Sequence, residues 1–271
     1  MKEKVKITGV PETMIQTLYA RAKETQKNNA KIKDDIAVEI VEKLDYDFSK
    51  ADNDKTMASG VIARTIVLDE MVGEYLDTHS DTVVVNIGCG MDTRCYRMQG
   101  KYKHWYNIDL PETIEIRKRF LTENGPVYQI AKSAMDISYT DDTTDRNHKI
   151  VHNKENVLVI IEGLSMYLHE NDIREIFSII EKAFNKSTVM IETMSPFFVK
   201  HMKEKSIEGS NAKFSWGVKN GKDLQQIVPA FNWKRDVSLV EGMKVIMPVY
   251  NVLGIIPAVC GMSNKIVVME R

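Results

Sequence analysis

Residues Thr82 to Leu110 read TVVVNIGCGMDTRCYRMQGKYKHWYNIDL, and the rest of the chain is organised around them. Val83, Val84, Val85 and Ile87 form a short apolar, β-branched run of the kind that fills a buried parallel strand. Gly88-Cys89-Gly90 stops it, and glycine there permits a tight turn and close approach of backbone to a ligand. Asp92 or Thr93 is placed to cap the helix that follows. A second strand, His104 to Ile108, ends at Asp109. An acid about twenty residues beyond a glycine turn, at the tip of a second strand, suits the two hydroxyls of a ribose. Strand, glycine turn, helix, strand and acid make the first half of a nucleotide-binding α/β sheet.

Two nucleotides compete for that half-sheet. A dinucleotide fingerprint needs a third glycine, and none follows Gly90 at the required spacing. Asp92 would also set a negative charge against a pyrophosphate. Both points tilt the reading from NAD towards S-adenosylmethionine, a sulfonium cofactor without phosphate.

The 271 residues are enough for one large or two modest domains. With 43% hydrophobic and 28% charged residues the balance is that of a globular chain. The net charge of −1 offers no broad surface for nucleic acid or an anionic membrane. Three cysteines (Cys89, Cys95 and Cys260), an odd number, two of them flanking the glycine turn, point to reduced thiols in a cytoplasmic protein. No zinc-ligand spacing is present, and no signal peptide or membrane-spanning run is evident.

Along the chain, helices are expected at Pro11–Glu24, Ile36–Leu44 and Ser59–Tyr75. Arg64 lies among apolar positions of the third, either snorkelling to water or as a bidentate partner for a carboxylate. Pro111 starts another helix, on which Arg117-Lys118-Arg119 reads as a solvated face. Further strands are expected at Val127–Ile130, Val157–Ile161, Thr188–Ile191 and Ser263–Met269. Asp136 follows the third strand, and Glu162 stands at the carboxyl edge of the sheet, where open α/β sheets bind ligands. Asp141–Asn156 reads as a loop or short helix. Asn171 or Asp172 is expected to cap the helix carrying Ile173, Ile176, Phe177 and Ile180. From Met194 to about Met243 the pattern loosens around Phe197, Phe198, Met202, Phe214 and Trp216. That stretch is either ordinary core around an insertion or a methionine-rich lid over an apolar substrate. The divisions expected are an N-terminal helical cap (1–80), an α/β core (81–193), a lid (194–245) and a closing helix and strand (246–271).

Leu18-Tyr19-Ala20-Arg21-Ala22, Ala63-Arg64-Thr65, VVNIGCGMDTRCYRM, the IDLPE run ending at Glu112 and IIEGLSMYL from Ile160 occur in one order over most of the chain. In these segments it resembles the leucine carboxyl methyltransferase family. The likeness is greater to the bacterial branch of S-adenosylmethionine-dependent O-methyltransferases, which includes polyketide-tailoring enzymes. FSWGVKNG, from Phe214, resembles the family's lid. The resemblance implies a class I methyltransferase (Rossmann-like) α/β fold: a seven-stranded, mostly parallel sheet with helices on both faces and a helical cap or lid. It further implies that Arg64 holds the methionine carboxylate and that Gly88 and Gly90 line the methionine moiety. Asp109, with Leu110 beside it, would take the ribose hydroxyls. Met135 and Asp136 would border the adenine. Glu162 would face the cofactor's amino end with Tyr167 nearby, and Arg21 would approach the cofactor from the first helix. Cys89 replaces a small residue, such as alanine, usual in the bacterial relatives.

The reaction implied is methyl transfer to a carboxylate or hydroxyl oxygen of a small-molecule acceptor. No catalytic base is assigned: His104, His169 and His201 qualify by residue type only. Protein C-terminal carboxyl methylation, cofactor binding without turnover, and NAD-dependent oxidoreduction are the alternatives. The sequence names neither the acceptor nor the oligomeric state.

Overall fold

The computed structural model describes residues 3–4, 10–123, 125–142, 156–201 and 213–271. Most of the expected 141–156 loop, and Met202 of the expected lid, lie outside these residues. Seven strands form one sheet: β1 (Val83–Ile87), β2 (His104–Asp109), β3 (Val127–Ala131), β4 (Val157–Ile161), β5 (Ser187–Thr193), β6 (Asn232–Ser238) and β7 (Lys265–Glu270). Their order across the sheet is β3-β2-β1-β4-β5-β7-β6. β7 runs antiparallel to both of its neighbours, and the other pairings are parallel. Every residue of β1, β4 and β5 is buried. Burial on both faces is why β1 and β4 read as largely apolar runs rather than alternating ones.

Helices cover both faces. Towards the N-terminus lie α1 (Val10–Thr25), α2 (Asp35–Lys43) and the long α3 (Lys55–Thr78). They are followed by α4 (Arg94–Arg97), α5 (Pro111–Phe120) and α6 (Glu170–Ala183). Val67, Leu68, Met71, Val72 and Leu76 of α3 pack on Val84, Leu158 and Ile160. Ile173, Ile176, Phe177 and Ile180 of α6 pack on the opposite face, against Val83, Val85, Val159 and Ile161. Each such side chain contributes roughly 1.5–3 kcal/mol by leaving water. A third cluster joins Met14, Ile15 and Leu18 of α1 to Ile40 of α2, Met91 of the glycine loop and Ile116 of α5. Through it the N-terminal helices sit directly on the loop that follows β1.

Several elements depart from the sequence expectation. α3 begins four residues earlier than expected because the Asp54 side chain accepts a hydrogen bond from the Met57 N–H at 2.9 Å. It also covers the sheet, so it is part of the α/β core and not only of a cap. α6 is capped at His169, whose backbone N–H bonds the Asp172 carboxylate at 2.7 Å; Asp172 stands at the third helical position. α4 follows Thr93, but the Thr93 hydroxyl bonds Asp34, and Asp92 takes the Arg94 N–H at 2.9 Å. The expected lid contains an edge strand of the sheet, β6, with the sequence NWKRDVS. An edge strand has one unpaired side and tolerates polar residues, so no apolar run marks it.

Candidate active site

The carboxyl ends of β1, β2, β4 and β5 open into one cavity of about 640 Å³. Such a volume is that of a typical small-molecule site. Gly88 and Gly90 after β1, Asp109 at the end of β2, Glu162 after β4 and Glu192 near the end of β5 all line it. The turn at Gly88 and Gly90 has positive φ values of 69° and 48°. A side chain at Gly90 would start 3.1 Å from the Cβ of Met14. Only glycine gives the backbone this path between α1 and the cavity.

Asp109 closes the turn from the other side. One carboxylate oxygen accepts the Gly90 N–H and the other the Leu110 N–H, each at 2.7 Å. Burial pushes the carboxyl above its ordinary value, while these amide bonds pull it back. The Thr113 side chain also hydrogen-bonds this carboxylate, and of its roughly four lone-pair sites one is left for a hydroxyl.

Beneath the loop lies a charged lattice. Arg94, 1% exposed, meets Asp69 at 2.7 Å, Glu162 at 2.8 Å and Asp92 at 2.9 Å. Arg97 joins Asp69 at 2.6 Å and Asp34 at 3.1 Å. Arg21 donates to Asp34 at 2.9 Å and to the Met91 carbonyl at 2.7 Å. Arg64 Nε stands 2.6 Å from Glu162 Oε1, and Arg64 Nη1 donates to Glu192 at 3.0 Å. Burial alone would raise the Glu162 carboxyl, but the guanidinium groups of Arg94 and Arg64 outweigh it and hold it below its ordinary value. Arg94 and Arg97 do the same for Asp92. The charge of Asp92, which counted against a pyrophosphate in the sequence, is matched by arginines.

Arg117 corrects the solvated reading of the basic run on α5. It is fully buried and pairs with Glu123 at 2.6 Å. It also donates to the carbonyls of Gly90 at 3.0 Å and Asp92 at 2.7 Å, so it props the loop from below. Asn86, inside the apolar run of β1, donates to Asp92 at 3.1 Å and to Asn107 at 3.2 Å.

Of the residues expected at the site, Arg21, Arg64, Gly88, Gly90, Asp109, Leu110, Met135, Glu162 and Tyr167 line the cavity. Asp136 does not: it is exposed, and its carboxylate accepts from the Ser138 amide at 2.9 Å and hydroxyl at 2.6 Å. Both bonds go to Oδ1, and Ser133, Ala134 and Met135 form the lining there. Neither His104, His169 nor His201 is in the lining. Missed from the sequence were Asn86, Arg94, Arg97, Arg117, Asp34, Asp69 and Glu192. For Glu192 a signal existed, since it stands near a strand's carboxyl end as Glu162 does. Apolar side chains also line the cavity, among them Met57, Met166, Met194, Leu239 and Phe214, whose ring lies 5.5 Å from that of Tyr167.

The leucine carboxyl methyltransferase model matches residues 14–181, from α1 into α6 and across the whole glycine loop. The chain belongs to this family. A relative from Streptomyces glaucescens, the tetracenomycin polyketide synthesis O-methyltransferase TcmP, is 30% identical over 243 residues. The match covers 89% of this chain and 87% of that one. The S-adenosyl-L-methionine-dependent methyltransferase dpfgK of Gibberella zeae is 26% identical, covering 86% of this chain and 83% of that one. Among solved structures, a methyltransferase candidate from Thermobifida fusca YX superposes with a TM-score of 0.61 at 10% identity. That superposition covers 95% of this chain and 94% of that one, and it shows the shared class I methyltransferase fold. Magnesium protoporphyrin IX methyltransferase from Synechocystis PCC 6803, solved with bound SAH, gives 0.50 at 9% identity, over 80% of this chain and 87% of that one. The family member described here is an S-adenosylmethionine-dependent methyltransferase. The cavity fits that cofactor on its own terms: a glycine turn a side chain would block, a ribose-suited acid, and a guanidinium beside a carboxylate.

Proposed function

We propose that this methyltransferase acts on a hydroxyl or carboxylate oxygen of a small, largely apolar molecule. The observation that carries this reading is the continuity of the cavity. Its lining holds Arg64, Asp109 and Glu162 together with Met57, Met166, Met194, Leu239 and Phe214. TcmP, an O-methyltransferase of polyketide synthesis, supports the acceptor class by likeness. Arg64 would pair with the carboxylate of the cofactor's amino-acid end and Glu162 with its ammonium. Asp109 would hold the ribose, while Met135 and Leu110 would border the adenine. The cofactor supplies an electrophilic methyl group on a sulfonium. The chain's contribution is alignment, worth roughly 7–11 kcal/mol when two reactants are well oriented, and an apolar wall that keeps water from the acceptor oxygen.

The net charge of −1 favours a small molecule over nucleic acid as acceptor. Among the described residues no helix is long and apolar enough to cross a membrane. Cys89, Cys95 and Cys260 are free thiols, which supports a cytoplasmic location.

A thermal-shift titration with S-adenosylmethionine, S-adenosylhomocysteine and NAD tests the cofactor site, using wild type and Asp109→Ala. A ligand at about 100 times its Kd stabilises by roughly 2.7 kcal/mol, a shift of a few degrees. The expected result is a shift with both adenosyl compounds, lost in the variant, and none with NAD. Methyl transfer to small phenols and carboxylic acids, set against a peptide carboxyl terminus, then tests the acceptor class. Transfer to the peptide alone overturns it.

A further inference from the structure

Glu192 is buried near the end of β5, with its backbone in register opposite Ile266 of β7. One of its carboxylate oxygens accepts two hydrogen bonds, from Arg64 Nη1 at 3.0 Å and from the Gly163 N–H at 2.8 Å. Its backbone carbonyl accepts the Ser165 hydroxyl at 2.5 Å. Gly163 follows Glu162 directly and has a φ of 67°. A Cβ there would stand 3.3 Å from Arg64 Nη1 and 3.7 Å from Nη2, so the guanidinium lies against the open face of the glycine. Arg64, Glu162, Gly163 and Glu192 thus form a closed ring. Arg64 Nε faces Glu162, Arg64 Nη1 bonds Glu192, and Glu192 returns to the backbone amide next to Glu162.

Arg64 Nε and Glu162 Oε1 are within ion-pair distance, but the N–H is not aligned as a hydrogen bond. Attraction between the two charges sets their distance but not the rotation of the guanidinium plane. The directed bond from Nη1 to Glu192 supplies the rotation. Arg64 lines the cavity, with Nη2 on the side of the guanidinium away from the Nη1–Glu192 bond.

We propose that Glu192 is a positioning residue for the amino-acid end of the methyl donor. It orients Arg64 and the Glu162–Gly163 turn together so that the Nη2 edge of the guanidinium meets the donor's carboxylate. The proposal rests on the placement of that end at Arg64 and Glu162. Glu192 touches neither the reacting methyl nor the acceptor in this scheme; it acts through Arg64. Burial pushes its carboxyl above the ordinary value while Arg64 draws it down, the balance expected of an acid kept inside for one partner.

The test compares two ligands that differ only at that end. S-adenosylhomocysteine carries the amino acid; 5′-methylthioadenosine keeps the adenosine and a thioether and lacks it. Calorimetric titration of the full chain is run on wild type, Glu192→Gln and Glu192→Ala. Glu192→Gln keeps one acceptor oxygen for the Gly163 N–H and is the variant that retains the fold if Glu192→Ala does not. In Glu192→Gln the affinity for S-adenosylhomocysteine is expected to fall about tenfold, the scale of one hydrogen bond to a charged group. The affinity for 5′-methylthioadenosine stays within about twofold, since it makes no contact with the ring. In turnover the same variant raises KM for the methyl donor and leaves kcat at saturation near wild type. An equal loss for both ligands, a loss for neither, or a fall in kcat with KM unchanged overturns the proposal. Wild type that binds 5′-methylthioadenosine as tightly as S-adenosylhomocysteine overturns the underlying placement at Arg64 and Glu162 instead, before any variant is examined.

Discussion

Beneath the glycine loop, Arg94 touches three carboxylates within 2.9 Å and Arg117 reaches two loop carbonyls and Glu123. In the lining of the same cavity stand Met57, Met166, Met194 and Leu239, with Phe214 leaning on Tyr167. The first region is fixed by directed bonds between groups that leave water only if paired; moving one strands the others. The second is held by contacts that can be remade in several shapes, since methionine is unbranched and polarisable. A site that must take one cofactor and align it gains from the first kind of wall. A site whose acceptor is set by shape gains from the second.

The contrast breaks most visibly at Arg117. Arg117→Ala leaves Glu123 buried without its partner and two loop carbonyls without a donor. Losing one member of such a pair costs about 3–5 kcal/mol, read as a drop in the urea midpoint with the m-value unchanged. A cost under about 1 kcal/mol, the range of an exposed pair, would remove the claim that this lattice is rigid.

Phe214→Leu sharpens the comparison from the other side. A near volume-conserving apolar change costs less than about 1.5 kcal/mol. The acceptor KM or the range of acceptors is expected to change severalfold, while S-adenosylhomocysteine affinity in calorimetry stays at wild type. A loss of cofactor affinity equal to the loss for the acceptor would mean that the two regions do not act separately.

The smallest effect concerns the thiols. Burial pushes Cys95 up to about 12, and Cys89 rises for the same reason, with Arg117 opposing both. At pH 8 both remain protonated, and the thiolate is the reactive form. Brief iodoacetamide treatment of the native protein at that pH, read by peptide mass spectrometry, should therefore label Cys260, which is partly exposed, and spare the other two. Labelling of Cys89 would show that the loop opens on the timescale of the reaction.

What the sequence made legible follows the same division. β1 and β4 were readable because a parallel strand covered on both faces must be largely apolar. Asp109 and Glu162 were readable because the chemistry of a sheet's carboxyl edge is local to the strand that ends there. β6 was not: Asn232–Ser238 is polar, at an edge, and takes its place only by pairing with β7, nearly thirty residues further along the chain. Arg117 was not, because its partners are a glutamate on the next loop and carbonyls some 25 residues earlier, and no periodicity marks a buried cation. Asp136 shows the converse. The acid is where the resemblance expects it, but it stands outside the cavity lining, with Ser138, two residues on, bonded to its Oδ1. Pairings between distant charges are settled only by the finished fold.

The order β5-β7-β6 has a bearing on how the chain is made. β6 leaves the ribosome before β7, yet β7 is the strand it needs on its inner side. Until residues 265–270 emerge, the edge of β5 and the whole of β6 present unpaired amides and carbonyls, the kind of template on which nascent chains misassociate. The sheet is therefore sewn shut only once β7 has been made. A stalled or prematurely stopped transcript ending before Lys265 would release a molecule carrying the glycine loop and most of the cavity wall, but with two open seams.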